Sequence, residues 1–143
     1  PPADGAVGAG HLRLLFAPCA GRPLCVLMRP VDQSAPPGAG LTYRSPVGDR
    51  HFDRVTLLTT AEVAVTVDAH GYYVEAAVPW AELGMAPQSG LELRGDAGFI
   101  SSDGGGRSDV ARTYWSNPAT NLVNDAPSEA WMVPATFGTF TCE

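Results

Sequence analysis

The chain has 143 residues, a mass of 15.0 kDa and 45% hydrophobic residues, which suits one domain with a real core and excludes wholesale disorder. Its formal net charge of -6 and pI near 4.9 repel nucleic acid and anionic membrane surfaces, so neither is an expected partner. All nine basic residues are Arg, which excludes Schiff-base chemistry, a P-loop lysine and a lysine general base.

No run approaches the roughly 20 apolar residues that cross a bilayer, so membrane insertion is not expected. The opening "PPADGAVGAGHLRLLF" lacks a basic n-region and an apolar h-region, and any export signal is expected outside this chain. Sixteen Gly and thirteen Pro recur between short apolar runs, which predicts many turns and an all-β fold.

In chain order, "HLRLLF" places Leu12, Leu14 and Phe16 on one face. "LCVLMR" follows the turn at Gly21, Arg22 and Pro23, and the two runs predict a first hairpin. Cys19 and Cys25 flank that turn and are read either as a cross-hairpin disulfide or as two small thiols. Cys142 stands apart near the C-terminus.

Residues 30–50, "PVDQSAPPGAGLTYRSPVGDR", read as a long connecting loop. "AEVAVTVDAHGYYVEAAVPW" carries the clearest alternation. Val63, Val65 and Val67 precede a "DAHG" turn, and Tyr72, Val74, Ala76 and Val78 follow it, which predicts an antiparallel hairpin with one buried face. A short helical turn is expected over 79–84, opened by Pro79 and closed by Gly84. Further strands are expected at "DAGFIS", around "ARTYW", at "EAWMV" and at "FGTFT". About eight strands with almost no helix predict a single antiparallel β-sandwich over residues 1–143.

Catalytic chemistry is poorly supported. No G-x-S-x-G, H-E-x-x-H or C-x-x-C occurs, and His11, His51 and His70 stand alone, so neither a triad nor zinc is expected. "DGGGR" lacks the spacing of a phosphate-binding loop and reads as a hairpin loop. Asp96, Asp103 and Asp109 near it are candidate oxygen ligands for Ca²⁺, against the plainer reading that acidic residues bond to the amides of their own turns.

A sugar offers apolar C–H faces edged by hydroxyls, so its site needs an exposed ring among amides, carboxylates or guanidiniums. "RTYWSNPATNLVND" supplies Arg112, Tyr114, Trp115, Asn117, Asn121, Asn124 and Asp125. Trp80 and Trp131 read as core, and Trp115 is read as the stacking platform, against the alternative that it too is a core residue.

"GYYVEAAVPWAELGMAPQSG", "GDAGFISSDGGGR", Trp115 and "FGTF" occur in the order that resembles the second half of family 9 carbohydrate-binding modules and their relatives, over roughly residues 50–141. The resemblance implies a jelly-roll-like β-sandwich, an accessory domain of a larger exported bacterial protein, extracellular or periplasmic. It also implies two Trp rings clamping a terminal sugar, with structural calcium. By position Trp115 matches one ring and Asp103 the acidic turn. No Trp precedes residue 50 to supply the second ring, and the family's opening strands are not recognised, so the domain is expected to lack its N-terminal strands.

The leading expectation is a non-catalytic carbohydrate-binding domain with Trp115 as platform and Arg112, Asn117, Asn121 and Asp125 as hydroxyl partners. The alternative is a structural β-sandwich whose Arg and Asp side chains pin a loop. A third class is a haem-binding sandwich drawing on Met28, Met85, Met132 and the three His.

Overall fold

The computed structural model describes residues 6–19, 21–69, 71–118 and 122–143. The fold is all-β. Eleven strands are described, with two four-residue helices and one 3-10 turn. The five strand pairs whose register is described are all antiparallel. Two compact units are distinguished, one formed by Ala9–Leu41 and Phe52–Pro87, the other built on Thr42–His51 and Gln88–Glu143.

In the first unit β1 (Arg13–Cys19), β2 (Arg22–Arg29) and β5 (Arg54–Leu57) form a three-stranded sheet in the order β1-β2-β5. The register sets Leu14 opposite Leu27 and Phe16 opposite Cys25. The expected Leu12, Leu14, Phe16 face is thus the core face, packed with buried Cys25, Leu27 and Leu58. Against it lie Ala61, Val63, Val78 and Leu83. Strands β6 (Glu62–Asp68) and β7 (Gly71–Ala77) pair Val63 with Ala76, Val65 with Val74 and Val67 with Tyr72, the alternation read from sequence. Burial fades along that hairpin, and Val67 and Tyr72 are exposed at its far end. Helix α1 (Trp80–Leu83) follows Pro79 and ends at Gly84 in the left-handed region, as expected.

Two expectations are corrected. Residues 30–50 are not one loop: they contain strand β3 (Leu41–Ser45) and most of β4 (Gly48–Phe52), which pair around Pro46 and Val47. Their polar Thr42, Arg44, Asp49 and Arg50 conceal the strand pattern. "EAWMV" is not a strand. Helix α2 (Ala126–Glu129) runs into it, because Asp125 caps the helix by accepting from the Ser128 amide and Pro127 fits its first turn.

The second unit also holds β8 (Glu92–Gly95), β9 (Gly98–Ser102), β10 (Asp109–Tyr114) and β11 (Gly138–Thr141). The loop between β9 and β10 is the expected "DGGGR" turn.

Candidate functional site

The β9–β10 hairpin has two unlike faces. Its register sets Phe99 opposite Thr113 and Ser101 opposite Ala111, and the Trp115 amide extends the pairing by donating to the Ala97 carbonyl at 2.8 Å. Ala97, Phe99, Ser101, Ala111, Thr113 and Trp115 therefore alternate onto one face, and all are exposed. The other face carries half-buried Ile100 and Tyr114 and buried Arg112.

Trp115 is 60% exposed. Its inner side rests on Phe140, with ring centroids 5.0 Å apart and planes tilted by 40°. The indole also lies over Gly138, where a β-carbon would run into the ring. Phe140 in turn lies over Gly95, the cross-strand partner of Gly138. A glycine pair on β8–β11 thus makes room for two rings, a sheet using aromatic side chains to cover bare backbone.

The two other Trp side chains are not core residues, contrary to expectation. Trp80 is partly exposed. Trp131 is 48% exposed, and the Arg50 guanidinium lies 3.7 Å from its ring centroid. The helical turn before Trp131 replaces the strand that would have buried it.

The Arg112, Asn124 and Asp125 side chains expected around Trp115 are committed elsewhere. Arg112 is 6% exposed and donates from Nη2 to the Leu122 carbonyl, while its Nε has no partner among the described residues. Asp125 caps α2, and hydrogen bonding from Ser128, with Ser45 and Arg112 beside it, holds its carboxyl below the usual range. The Glu129 Oε1 accepts from the Asn124 amide at 2.9 Å, and Asn124 Oδ1 accepts from the Asp109 amide at 3.4 Å. Burial, then the neighbouring Asp109 carboxyl, pushes Glu129 upward. Asn124 itself sits at φ 60°, a conformation that Asn tolerates better than most residues. Tyr114 lies over Gly98. The Asn117 amide donates to Asp96 Oδ2 at 3.1 Å, and Asn121 lies outside the described residues.

The three acidic residues near the Gly-rich loop have separate tasks. Asp96 Oδ1 accepts from the Ala97 and Ser116 amides, tying the start of β9 to the end of β10. Asp103 Oδ1 accepts from the Arg107 and Gly105 amides, and these bonds, the one from Arg107 first, hold its carboxyl low. Asp109 belongs to the Asn124 and Glu129 cluster. Among the described residues no group of three or more His, Cys, Asp or Glu is placed to hold a metal ion.

The remaining candidates are also placed. Cys19 pairs in register with Arg22 and Cys25 with Phe16, so the two thiols do not face each other, and all three cysteines are free. The hairpin turn is tighter than expected, and β2 begins at Arg22. Met28 is buried, the His51 Nδ1 bonds with Thr42 Oγ1 at 2.8 Å, and His70 lies outside the described residues. No helix among the described residues is long and apolar enough to cross a membrane.

Sequence reasoning missed Phe140 as the neighbour of Trp115, and Phe99, Ser101 and Thr113 as residues of the same strand face. The alternation of "GFIS" against "ARTYW" was available, but only the register puts Phe99 and Trp115 on one face. Compared with family models, with curated proteins and with solved structures, the chain matches none.

Proposed function

We propose that this chain is a non-catalytic carbohydrate-binding domain of the family 9 type, an antiparallel β-sandwich carried by a larger exported protein. The observation that carries the reading is the exposed Trp115 ring, held from behind by Phe140. A sugar C–H face stacks on the open side of such a ring. Ser101 and Thr113 share its strand face and replace Arg112 and Asp125 as hydroxyl partners. Phe99 extends the apolar strip. Titration of the tryptophan fluorescence with mono- and oligosaccharides tests this, with Trp115→Ala as the control.

A second reading, a structural accessory sandwich, is favoured by one specific observation. The Arg and Asp side chains of "ARTYWSN…ND" pin the chain around Leu122, Asn124 and α2, the arrangement a purely structural domain requires. Under it, sugars leave the fluorescence of the folded protein unchanged.

A further inference from the structure

Trp115 and Phe99 share the exposed face of the β9–β10 hairpin without standing opposite each other. Phe99 lies across from Thr113, and Trp115 across from Ala97, one step further along that face. Such diagonal neighbours sit about 7–8 Å apart in a sheet. The two rings are open to nearly the same extent, 59% and 60% exposed. One sugar unit stacked on Trp115 therefore leaves Phe99 uncovered, and covering both rings takes a second unit of the same chain.

The rest of that face decides what kind of chain it suits. Ala97 and Ala111 contribute methyl groups and Ser101 and Thr113 hydroxyls, so none of its side chains is charged. The charged residues of the hairpin are held elsewhere. Arg112 is buried on the opposite face, Asp103 and Arg107 lie in the turn, Asp96 accepts from the Ala97 and Ser116 amides, and Asp109 joins Asn124 and Glu129. The chain as a whole carries a formal charge of -6, which opposes an anionic polymer and equally a second copy of itself. A wholly apolar partner would bury the two hydroxyls without hydrogen bonds, a cost that sugar hydroxyls remove. The side chains between the two rings are short, which suits a ligand lying flat along the strands rather than a terminal sugar held in a concavity.

We propose that this face binds an internal stretch of an uncharged polysaccharide chain. One sugar unit stacks on Trp115, a further unit stacks on Phe99, and the Ser101 and Thr113 hydroxyls bond to hydroxyls of the chain. Resting on the carbohydrate reading, this binding mode lays the ligand lengthwise on the hairpin and does not read its end. It differs in that respect from the terminal-sugar clamp that the resemblance implies.

The test is fluorescence titration of the whole chain with ladders of cello-, xylo- and manno-oligosaccharides, dimer to hexamer, beside borohydride-reduced hexamers and polygalacturonate. In at least one ladder the affinity should rise about tenfold from dimer to hexamer and survive reduction of the end unit, and polygalacturonate should not compete. Phe99→Ala should abolish the gain with length while leaving the dimer affinity in place, and Phe99→Tyr, which keeps a ring, should retain the gain. Trp115-dependent binding with no gain in length, loss of binding on end reduction, preference for polygalacturonate, or an unchanged gain in folded Phe99→Ala would overturn the proposal and leave the carbohydrate reading standing. No response to any sugar would overturn both. A dimer in sedimentation that Phe99→Ala breaks would assign the face to a second copy and overturn the proposal as well.

Discussion

The indole of Trp115 lies across the backbone of Gly138, in space that any side chain there would fill. The glycine is needed for close approach, and the atoms it admits are the far edge of a side chain that can swing aside. Gly138→Ala is therefore expected to cost under about 1 kcal/mol while displacing the ring from Phe140. Near-ultraviolet circular dichroism should change although thermal stability barely moves. A large loss of stability would show that the ring has no room to turn.

Gly98→Ala should behave differently. A β-carbon there would meet the half-buried Tyr114 ring and also the Thr113 carbonyl, which is backbone. The expected loss is about 1–3 kcal/mol in urea unfolding, clearly more than for Gly138→Ala. Equal losses in the two variants would refute the distinction.

Arg112 is the central polar residue of the Trp115 hairpin's inner face, with the Asp125 and Glu129 carboxylates near it and the Leu122 carbonyl as acceptor. Arg112→Leu removes the buried cation and leaves the half-buried Asp125 and Glu129 carboxylates without it. A loss of about 2–4 kcal/mol is expected from chemical denaturation. A loss below about 1 kcal/mol would mean that the guanidinium does not hold the loop.

Two carboxyls give stability opposite dependences on pH. Asp103 is held low by amide donors, so its contribution is present above its ordinary value of 3.8 and is lost as pH falls through the lowered one. Glu129 is raised by burial and by Asp109, so its contribution is complete below 4.5 and is lost as pH rises through the raised value. Thermal melts should show Glu129→Gln more stable than the parent near about pH 7 and equal to it near about pH 4. Asp103→Asn should flatten the acid limb alone. A Glu129→Gln variant that is less stable at neutral pH would contradict the assignment.

Cys19 is exposed at a hairpin tip, whereas Cys25 is buried and burial pushes its thiol upward. A thiol reagent should modify Cys19 quickly and Cys25 only on unfolding. Reductant should leave the melting temperature unchanged. A drop on reduction would reveal the cross-hairpin disulfide that the register disfavours.

Much of the first unit was legible because its alternation is apolar. Leu12, Leu14 and Phe16, then Val63 with half-buried Val65 after it, advertise a period of two, and all but Val65 pack on the core. The strands Leu41–Ser45 and Gly48–Phe52 were hidden because their side chains are mostly polar. Helix α2 was announced by "DAPSE", an acidic cap with Pro in the first turn, but the apolar run after it imitates a strand. At the candidate site Trp115 was legible as an aromatic among turn residues. Its support was not: the Phe140 contact and the Gly138 floor come from a strand more than twenty positions away. Likewise, Arg112 has the composition of a sugar contact, and only its burial shows that it serves the loop.

The most direct test of the carbohydrate reading is intrinsic fluorescence of the whole chain titrated with a panel of mono- and oligosaccharides, beside Trp115→Ala. A saturable change that the substitution abolishes while the fold survives is the predicted result. A flat response to every sugar from the folded parent, or an equal response from Trp115→Ala, would contradict it.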